Sequence, residues 1–160
     1  MRLWMLSDLV LLLLIANATP VIISMLFGDR WKRPLDRGIL LVDGHPLLGT
    51  SKTVRGLLGS ISICALLAPL FDLSLLQGAG FGALAMLGDL VSSFCKRRLG
   101  LRSGHSVPLL DQVPETLLPL WVMQPALGAS AMEMAVAITA FSGIDLLFTR
   151  LLYSYQARCS

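Results

Sequence analysis

Five long apolar runs constrain this chain more than any other feature of its sequence. They lie at roughly 9–27, 56–76, 78–95, 117–131 and 132–152. A helix needs about 20 apolar residues to cross a bilayer. Only 14% of the residues are charged, whereas a water-soluble domain carries about 25%. The sequence therefore predicts an all-α polytopic membrane protein with about five transmembrane helices, in which residues 1–160 form a single domain.

The first and fourth runs need further argument. Ala16-Asn17-Ala18 has the A-x-A form of a signal-peptide cleavage site. The apolar run resumes directly afterwards and reaches spanning length, so we expect an uncleaved helix. The fourth run is interrupted by Pro119 and Pro125, and only a small-residue turn separates it from the fifth. Whether this fourth run crosses the membrane is decided by the distribution of basic residues.

The basic residues predict the orientation of the chain. If the N-terminus lies outside, the cytoplasmic side carries all but one of the 13 basic residues, the exception being Arg2. Those on the cytoplasmic side are Arg30, Lys32, Arg33, Arg37, Lys52, Arg55, Lys96, Arg97, Arg98, Arg102, Arg150 and Arg158. This arrangement follows the positive-inside rule and requires all five spans. We expect a multi-pass protein of the cytoplasmic (inner) membrane with a cytoplasmic C-terminus and two functional cytoplasmic loops.

The first of these loops ends in a segment whose composition suits phosphate. Pro34, Asp43-Gly44 and Gly49 are turn formers, so we expect an ordered loop and not a helix. The segment Gly49–Gly56 combines glycines, hydroxyl groups and the cations Lys52 and Arg55 at the predicted start of a helix. A basic anchor for anionic lipid headgroups has the same composition, and the residues alone leave both interpretations open.

The second loop follows an acid placed in an apolar run. Asp89, Ser93 and Lys96 recur at helical spacing and share one face, with Asp89 about two turns from the cytoplasmic end. Asp111 follows just before the fourth run. An unpaired carboxylate in such a run costs several kcal/mol. Two acids beside a basic turn could hold a divalent cation bridged to phosphates, although a plain stop-transfer cluster also explains the cations.

Two further features stand out within the spans. Asp145 is an ionisable residue in the fifth run and is a functional candidate or the partner of a loop cation. Gly78, Gly80 and Gly82 in the third run predict a close approach between helices.

Several short motifs, in order along the chain, resemble the CDP-archaeol synthase family. This family is related to the phosphatidate cytidylyltransferases, which share a Gly-Asp…Ser…Lys-Arg…Asp pattern. The motifs are Asn17-Ala18-Thr19-Pro20-Val21, Pro34-Leu35-Asp36-Arg37-Gly38, Leu48–Gly56, Gly88-Asp89 through Ser93–Arg98, and Leu110-Asp111-Gln112. They cover almost the whole chain. Val54 stands where the family has an aromatic residue, and Pro114-Glu115 where the related enzymes have a second acid.

The resemblance implies transfer of CMP from CTP to a lipid phosphate, with release of pyrophosphate and with Mg²⁺ as cofactor. It implies a metal site at Asp89 and Asp111, which with Lys96 form the catalytic set. The residues that it implies for binding CTP and phosphate are Lys52, Thr53, Arg55, Ser93, Lys96 and Arg97. The expected partners are CTP, the lipid phosphate and membrane lipids, with a homodimer as the candidate assembly. Nucleic acid is not expected, because the cations lie beside the spans.

Two alternatives belong to other classes. A non-catalytic transporter or assembly protein would use its basic loops only to bind anionic headgroups, and it would not need the pair Asp89 and Asp111. A CDP-alcohol phosphotransferase would carry DxxDGxxAR…GxxxD…D, which does not occur in this sequence. The lipid phosphate itself stays open among an archaeal ether lipid, phosphatidate and a polyprenyl-type phosphate.

Overall fold

The computed structural model describes residues 3–103, 107 and 110–158, with side chains described as far as residue 148. Six α-helices account for most of these residues. They are α1 (Leu3–Phe27), α2 (Val54–Leu67), α3 (Leu75–Arg98), α4 (Gln112–Val122), α5 (Gln124–Leu127) and α6 (Ala131–Arg158). A 3₁₀ turn, Ala68–Phe71, extends α2. Within the described ranges, β-structure is limited to two isolated bridges, and the predicted all-α class is confirmed.

Four helical segments are long and apolar enough to cross a membrane, among the residues described. They are Leu3–Phe27, Val54–Phe71, Leu75–Arg98 and Ala131–Phe148. The predicted fourth run, 117–131, differs from the structure. Its residues lie mainly in α4 and α5. Helix α4 begins earlier than predicted, at Gln112, and the two helices are separated at Met123, after Pro119 and just before Pro125. A fifth span and the orientation of the chain therefore remain predictions.

Helix α3 is the central element of the bundle. It packs against α1, α2 and α4, and α1 also packs against α6. Two glycines allow α3 to approach α2 closely: a Cβ on Gly78 would lie 2.5 Å from the carbonyl oxygen of Cys64, and one on Gly82 would lie 3.1 Å from that of Ser60. These two of the predicted packing glycines are confirmed, whereas a Cβ on Gly80 would meet nothing within 4 Å.

The loop between α1 and α2 is ordered, as predicted, and the carboxylate of Asp36 holds it together. Asp36 is buried and accepts hydrogen bonds from the backbone N–H groups of Gly38, Leu48 and Gly49 at 3.1, 2.9 and 2.8 Å. Although desolvation opposes the effect, these donors lower the pKa of Asp36 below its ordinary value. The loop closes where Leu35 donates to the carbonyl of Lys52 at 2.8 Å. Lys52 is thereby fixed at the entrance to α2.

Candidate active site

A cavity of about 560 Å³ lies between the first loop and α1, α2, α3 and α4. Its lining includes the charged residues Asp89, Asp111, Lys52, Lys96 and Arg97. It also includes apolar residues of the helices: Pro20, Val21, Leu57, Met86 and Leu90. The cavity can therefore hold a polyanion next to an aliphatic chain.

Lys52 and Asp89 form an ion pair across this cavity. The Lys52 Nζ atom lies 2.6 Å from Oδ1 and 2.5 Å from Oδ2 of Asp89. Thr53, the next residue, caps the N-terminus of α2 by accepting a hydrogen bond from the Gly56 N–H at 3.3 Å. The cap fixes where α2 begins, and the ammonium group of Lys52, two residues before that start, contacts Asp89 of α3.

Lys96 forms a second ion pair, with Asp111. The Lys96 Nζ atom lies 2.6 Å from Oδ1 of Asp111, and Oδ2 accepts a hydrogen bond from the Val107 N–H at 3.0 Å. Asp89, Ser93 and Lys96 line the same cavity, which agrees with the predicted common face of α3. Each acid nevertheless pairs with a lysine from another element, and helical spacing alone did not indicate this pairing.

Gly88 allows the first turn of α4 to pack against α3 beside Asp89. A Cβ on Gly88 would overlap the Pro114 carbonyl group and lie 2.6 Å from Cα of Glu115. The close approach brings Glu115, which is buried, into the cavity wall. Asp145 of α6 also lines the cavity and accepts a hydrogen bond from Gln112 Nε2 at 3.2 Å.

Three arginines, Arg97, Arg98 and Arg55, lie in different environments. Arg97 is buried and lines the cavity, where its Nη2 donates to the carbonyl of Arg102 at 2.8 Å. Arg98 pairs with Asp43 of the first loop at 2.5 Å. Arg55, predicted to bind phosphate, donates instead to the carbonyl groups of Gly28, at 2.6 Å, and Arg30. The structure brings together every predicted site residue except Arg55, which does not line the cavity.

Sequence reasoning missed or left open the roles of three acids. Asp36 lies in the motif Pro34–Gly38, for which no role is predicted, although Asp-x-Gly often forms a local side-chain turn. Glu115 was noted only as a departure from a family pattern. Asp145 is a functional candidate from the sequence, but its hydrogen bond from Gln112 is not predicted.

Asp89 and Asp111 both line the cavity and offer hard oxygen donors. Among the residues that the structure describes, no group of three or more His, Cys, Asp or Glu side chains is arranged to hold a metal ion. Nucleotide-transfer sites need fewer, because Mg²⁺ keeps several waters and binds one or two carboxylates together with substrate phosphates. The two acids and the adjacent cations fit a divalent cation that arrives with a nucleotide.

Comparisons with known proteins give one consistent result. The family model described as CarS-like CDP-archaeol synthase matches residues 3–156. The CDP-archaeol synthase of Aeropyrum pernix is 38% identical over 80% of this chain and 81% of its own length. That of Thermofilum pendens is 35% identical over 86% of this chain and 70% of its own.

A solved structure described as an intramembrane enzyme for archaeal membrane lipids biosynthesis has a similar fold. Its TM-score to this chain is 0.73 at 37% identity, and the match covers 89% of this chain and 90% of that one. The family match and the fold agree with the charged cavity at the end of apolar helices. The chain therefore belongs to the CDP-archaeol synthase family, integral membrane cytidylyltransferases that make a CDP-lipid from CTP and a lipid phosphate.

Proposed function

We propose that this chain, acting as one catalytic unit, transfers CMP from CTP to the phosphate of an archaeol-type ether lipid. The single observation that carries the proposal is the cavity whose lining combines charged and apolar side chains. The related proteins named above are CDP-archaeol synthases from archaea, and this favours an ether lipid over phosphatidate or a polyprenyl phosphate. The placement of the basic loops supports a site that faces the cytoplasm in the cytoplasmic membrane.

Asp89 and Asp111 are the residues that would hold Mg²⁺. When bound, the ion would neutralise negative charge on the phosphates during transfer. Lys52, Lys96 and Arg97 would bind the triphosphate and the lipid phosphate, with the hydroxyl groups of Thr53 and Ser93 as further donors. These groups line one cavity, so they can orient both substrates and offset their mutual repulsion.

The reaction requires positioning and charge stabilisation and does not require a covalent nucleophile on the protein. An oxygen of the lipid phosphate attacks the α-phosphorus of CTP. The bond between the α-phosphorus and the oxygen bridging to the β-phosphate breaks, and pyrophosphate leaves with that electron pair. Lys52, Lys96 and Arg97 stabilise the negative charge on the leaving group and on the attacking phosphate.

Turnover by the purified protein in detergent tests the proposal. Labelled CTP, Mg²⁺ and a panel of lipid phosphates (archaeol-type ether, phosphatidate and polyprenyl) would be incubated with the protein, and pyrophosphate release measured. We expect the highest turnover with the ether lipid. Asp89→Asn and Asp111→Asn should each lower it by at least about a hundredfold.

Arg33→Met is the matched control, because Arg33 is exposed and does not line the cavity. It should keep wild-type turnover. Turnover that survives both aspartate substitutions would contradict the metal assignment, and a preference for phosphatidate would contradict the lipid assignment. A homodimer remains a prediction for light scattering of the same preparation.

A further inference from the structure

The two acids proposed to bind metal each contact an ammonium group in this structure. Lys52 Nζ contacts both carboxylate oxygens of Asp89, and Lys96 Nζ contacts Oδ1 of Asp111. The Lys52 and Asp89 side chains are 20% and 19% exposed, and those of Lys96 and Asp111 are 8% and 18% exposed. Water therefore screens both pairs only weakly.

An ammonium group in these positions competes with a divalent cation. Mg²⁺ binds carboxylate oxygens at about 2.0–2.1 Å. With Lys52 in place, the ion would share the oxygens of Asp89 with a positive charge a few ångströms away, and the repulsion is strong where water is scarce. The lysines cannot simply leave, because a partly buried carboxylate without a counter-ion is costly. Each acid therefore needs either a lysine ammonium group or the metal ion beside it.

The phosphates of a nucleotide resolve this competition. Lys52 and Lys96 line the cavity in which the triphosphate would lie. When each ammonium group moves from a carboxylate to a phosphate, its charge stays paired, and the vacated acid can accept the metal. Arg97 contrasts with both lysines, because its described hydrogen bond is to the backbone carbonyl of Arg102. Its movement would release no acid through that bond.

We propose that Lys52 and Lys96 are exchangeable counter-ions that make binding of the divalent cation depend on the nucleotide. In the nucleotide-free protein they neutralise Asp89 and Asp111 and keep metal affinity low. Nucleotide draws them onto its phosphates, and metal and nucleotide then bind as a coupled pair. The inference rests on the proposed function for the identity of the metal acids and the nucleotide, and it adds a second role for the two lysines.

Binding of Mn²⁺ to the nucleotide-free protein tests this coupling without any turnover. Free Mn²⁺ is measured by electron paramagnetic resonance during a titration of wild-type protein in detergent, then of Lys52→Met and Lys96→Met. We expect each substitution to tighten Mn²⁺ binding by roughly tenfold, within the usual range of coupling between two sites. The same variants should bind labelled α,β-methylene-CTP with Mn²⁺ more weakly than wild type, since a phosphate ligand is lost.

Three further variants separate this mechanism from simple charge effects and from misfolding. Arg33→Met removes one positive charge outside the cavity and should leave Mn²⁺ affinity unchanged. Lys52→Arg keeps the cation and should bind Mn²⁺ as weakly as wild type. Lys52→Gln can still donate to Asp89 and so guards against unfolding in Lys52→Met, as judged by circular dichroism and thermal unfolding. It should also tighten Mn²⁺ binding.

The inference is overturned if the neutral lysine variants bind Mn²⁺ no more tightly than Arg33→Met. It is also overturned if Lys52→Arg tightens Mn²⁺ binding as much as Lys52→Gln, because charge would then not be the cause. Failure of the proposed function would be seen elsewhere, as absent turnover in wild type or as turnover that survives Asp89→Asn and Asp111→Asn.

Discussion

The first loop and the cavity hold their acids in different ways. Asp36 is bound by three backbone N–H groups of its own loop, whereas Asp89 is bound by the Lys52 side chain and Asp111 by the Lys96 side chain together with one backbone N–H, that of Val107. Backbone donors cannot leave without unfolding the loop, but a lysine side chain can rotate from a carboxylate to a phosphate when a ligand supplies one. The comparison indicates that Asp36 maintains structure and that Asp89 and Asp111 are available for exchange with a ligand.

Substituting Asp89 and Asp36 should therefore affect different measurements, and this is the largest contrast that we expect. Asp89→Asn should lower turnover by at least about a hundredfold while changing the melting temperature little, because the amide oxygen that replaces a carboxylate oxygen can still accept a hydrogen bond from Lys52. Asp36→Ala should instead lower the free energy of unfolding by about 1–3 kcal/mol, since three backbone donors lose their acceptor. Thermal unfolding and turnover of the same preparations provide both readouts.

The pH dependence makes this comparison sharper. The folded-state pKa of Asp36 is lowered, so its contribution to stability is complete above the ordinary aspartate pKa. The contribution is lost as the pH falls through the lowered value. The stability difference between wild type and Asp36→Ala should shrink at acidic pH. A difference that grows on acidification, or a melting temperature that falls as far in Asp89→Asn as in Asp36→Ala, would contradict the division between the two acids.

Substitution of Gly88 should have a smaller effect on turnover, exerted through the contact between α3 and α4. Gly88→Ala would force the first turn of α4 away from α3, because the new methyl group overlaps the Pro114 carbonyl group. We expect a loss of about 1–3 kcal/mol in stability from overpacking. Turnover should also fall, because Asp111 and Glu115 would move relative to Asp89. Guanidinium or thermal unfolding in detergent and pyrophosphate release measure the two effects.

Gly80→Ala is the matched control on the same helix. A Cβ on Gly80 meets nothing within 4 Å, and alanine is favoured over glycine inside a helix by roughly 0.5–1 kcal/mol. This variant should be at least as stable as wild type and fully active. Equal behaviour of the two variants would show that the close approach at Gly88 does not position the site.

The sequence predicted the helices better than it predicted the contacts of the site. Long apolar runs indicated α1, α2, α3 and α6, because length and hydropathy are local properties. The fourth run was displaced, since Pro119 and Pro125 shorten α4 and α5 in ways that hydropathy does not register. Helical spacing placed Asp89, Ser93 and Lys96 on one face. It could not identify Lys52 as the partner of Asp89, 37 positions away.

Arg55 belongs to the predicted phosphate segment Gly49–Gly56 but does not line the cavity. It lies three residues after Lys52 and in the same predicted phosphate segment, yet α2 begins between them at Val54. The helix turns the Arg55 side chain toward the C-terminal end of α1, where the carbonyl groups of Gly28 and Arg30 accept its hydrogen bonds. Carbonyl groups after the last turn of a helix carry partial negative charge, which favours a cation there.

The smallest expected effect follows from this position of Arg55. Arg55→Met should lower stability by about 1 kcal/mol, because exposed charged hydrogen bonds contribute modestly, and should change the KM for CTP by less than about threefold. Arg97→Met removes a cation from the cavity wall and should raise that KM by about tenfold or more. Steady-state kinetics with varied CTP, together with thermal unfolding, distinguish the two. A loss of CTP affinity in Arg55→Met as large as in Arg97→Met would return Arg55 to the phosphate site that its motif predicted.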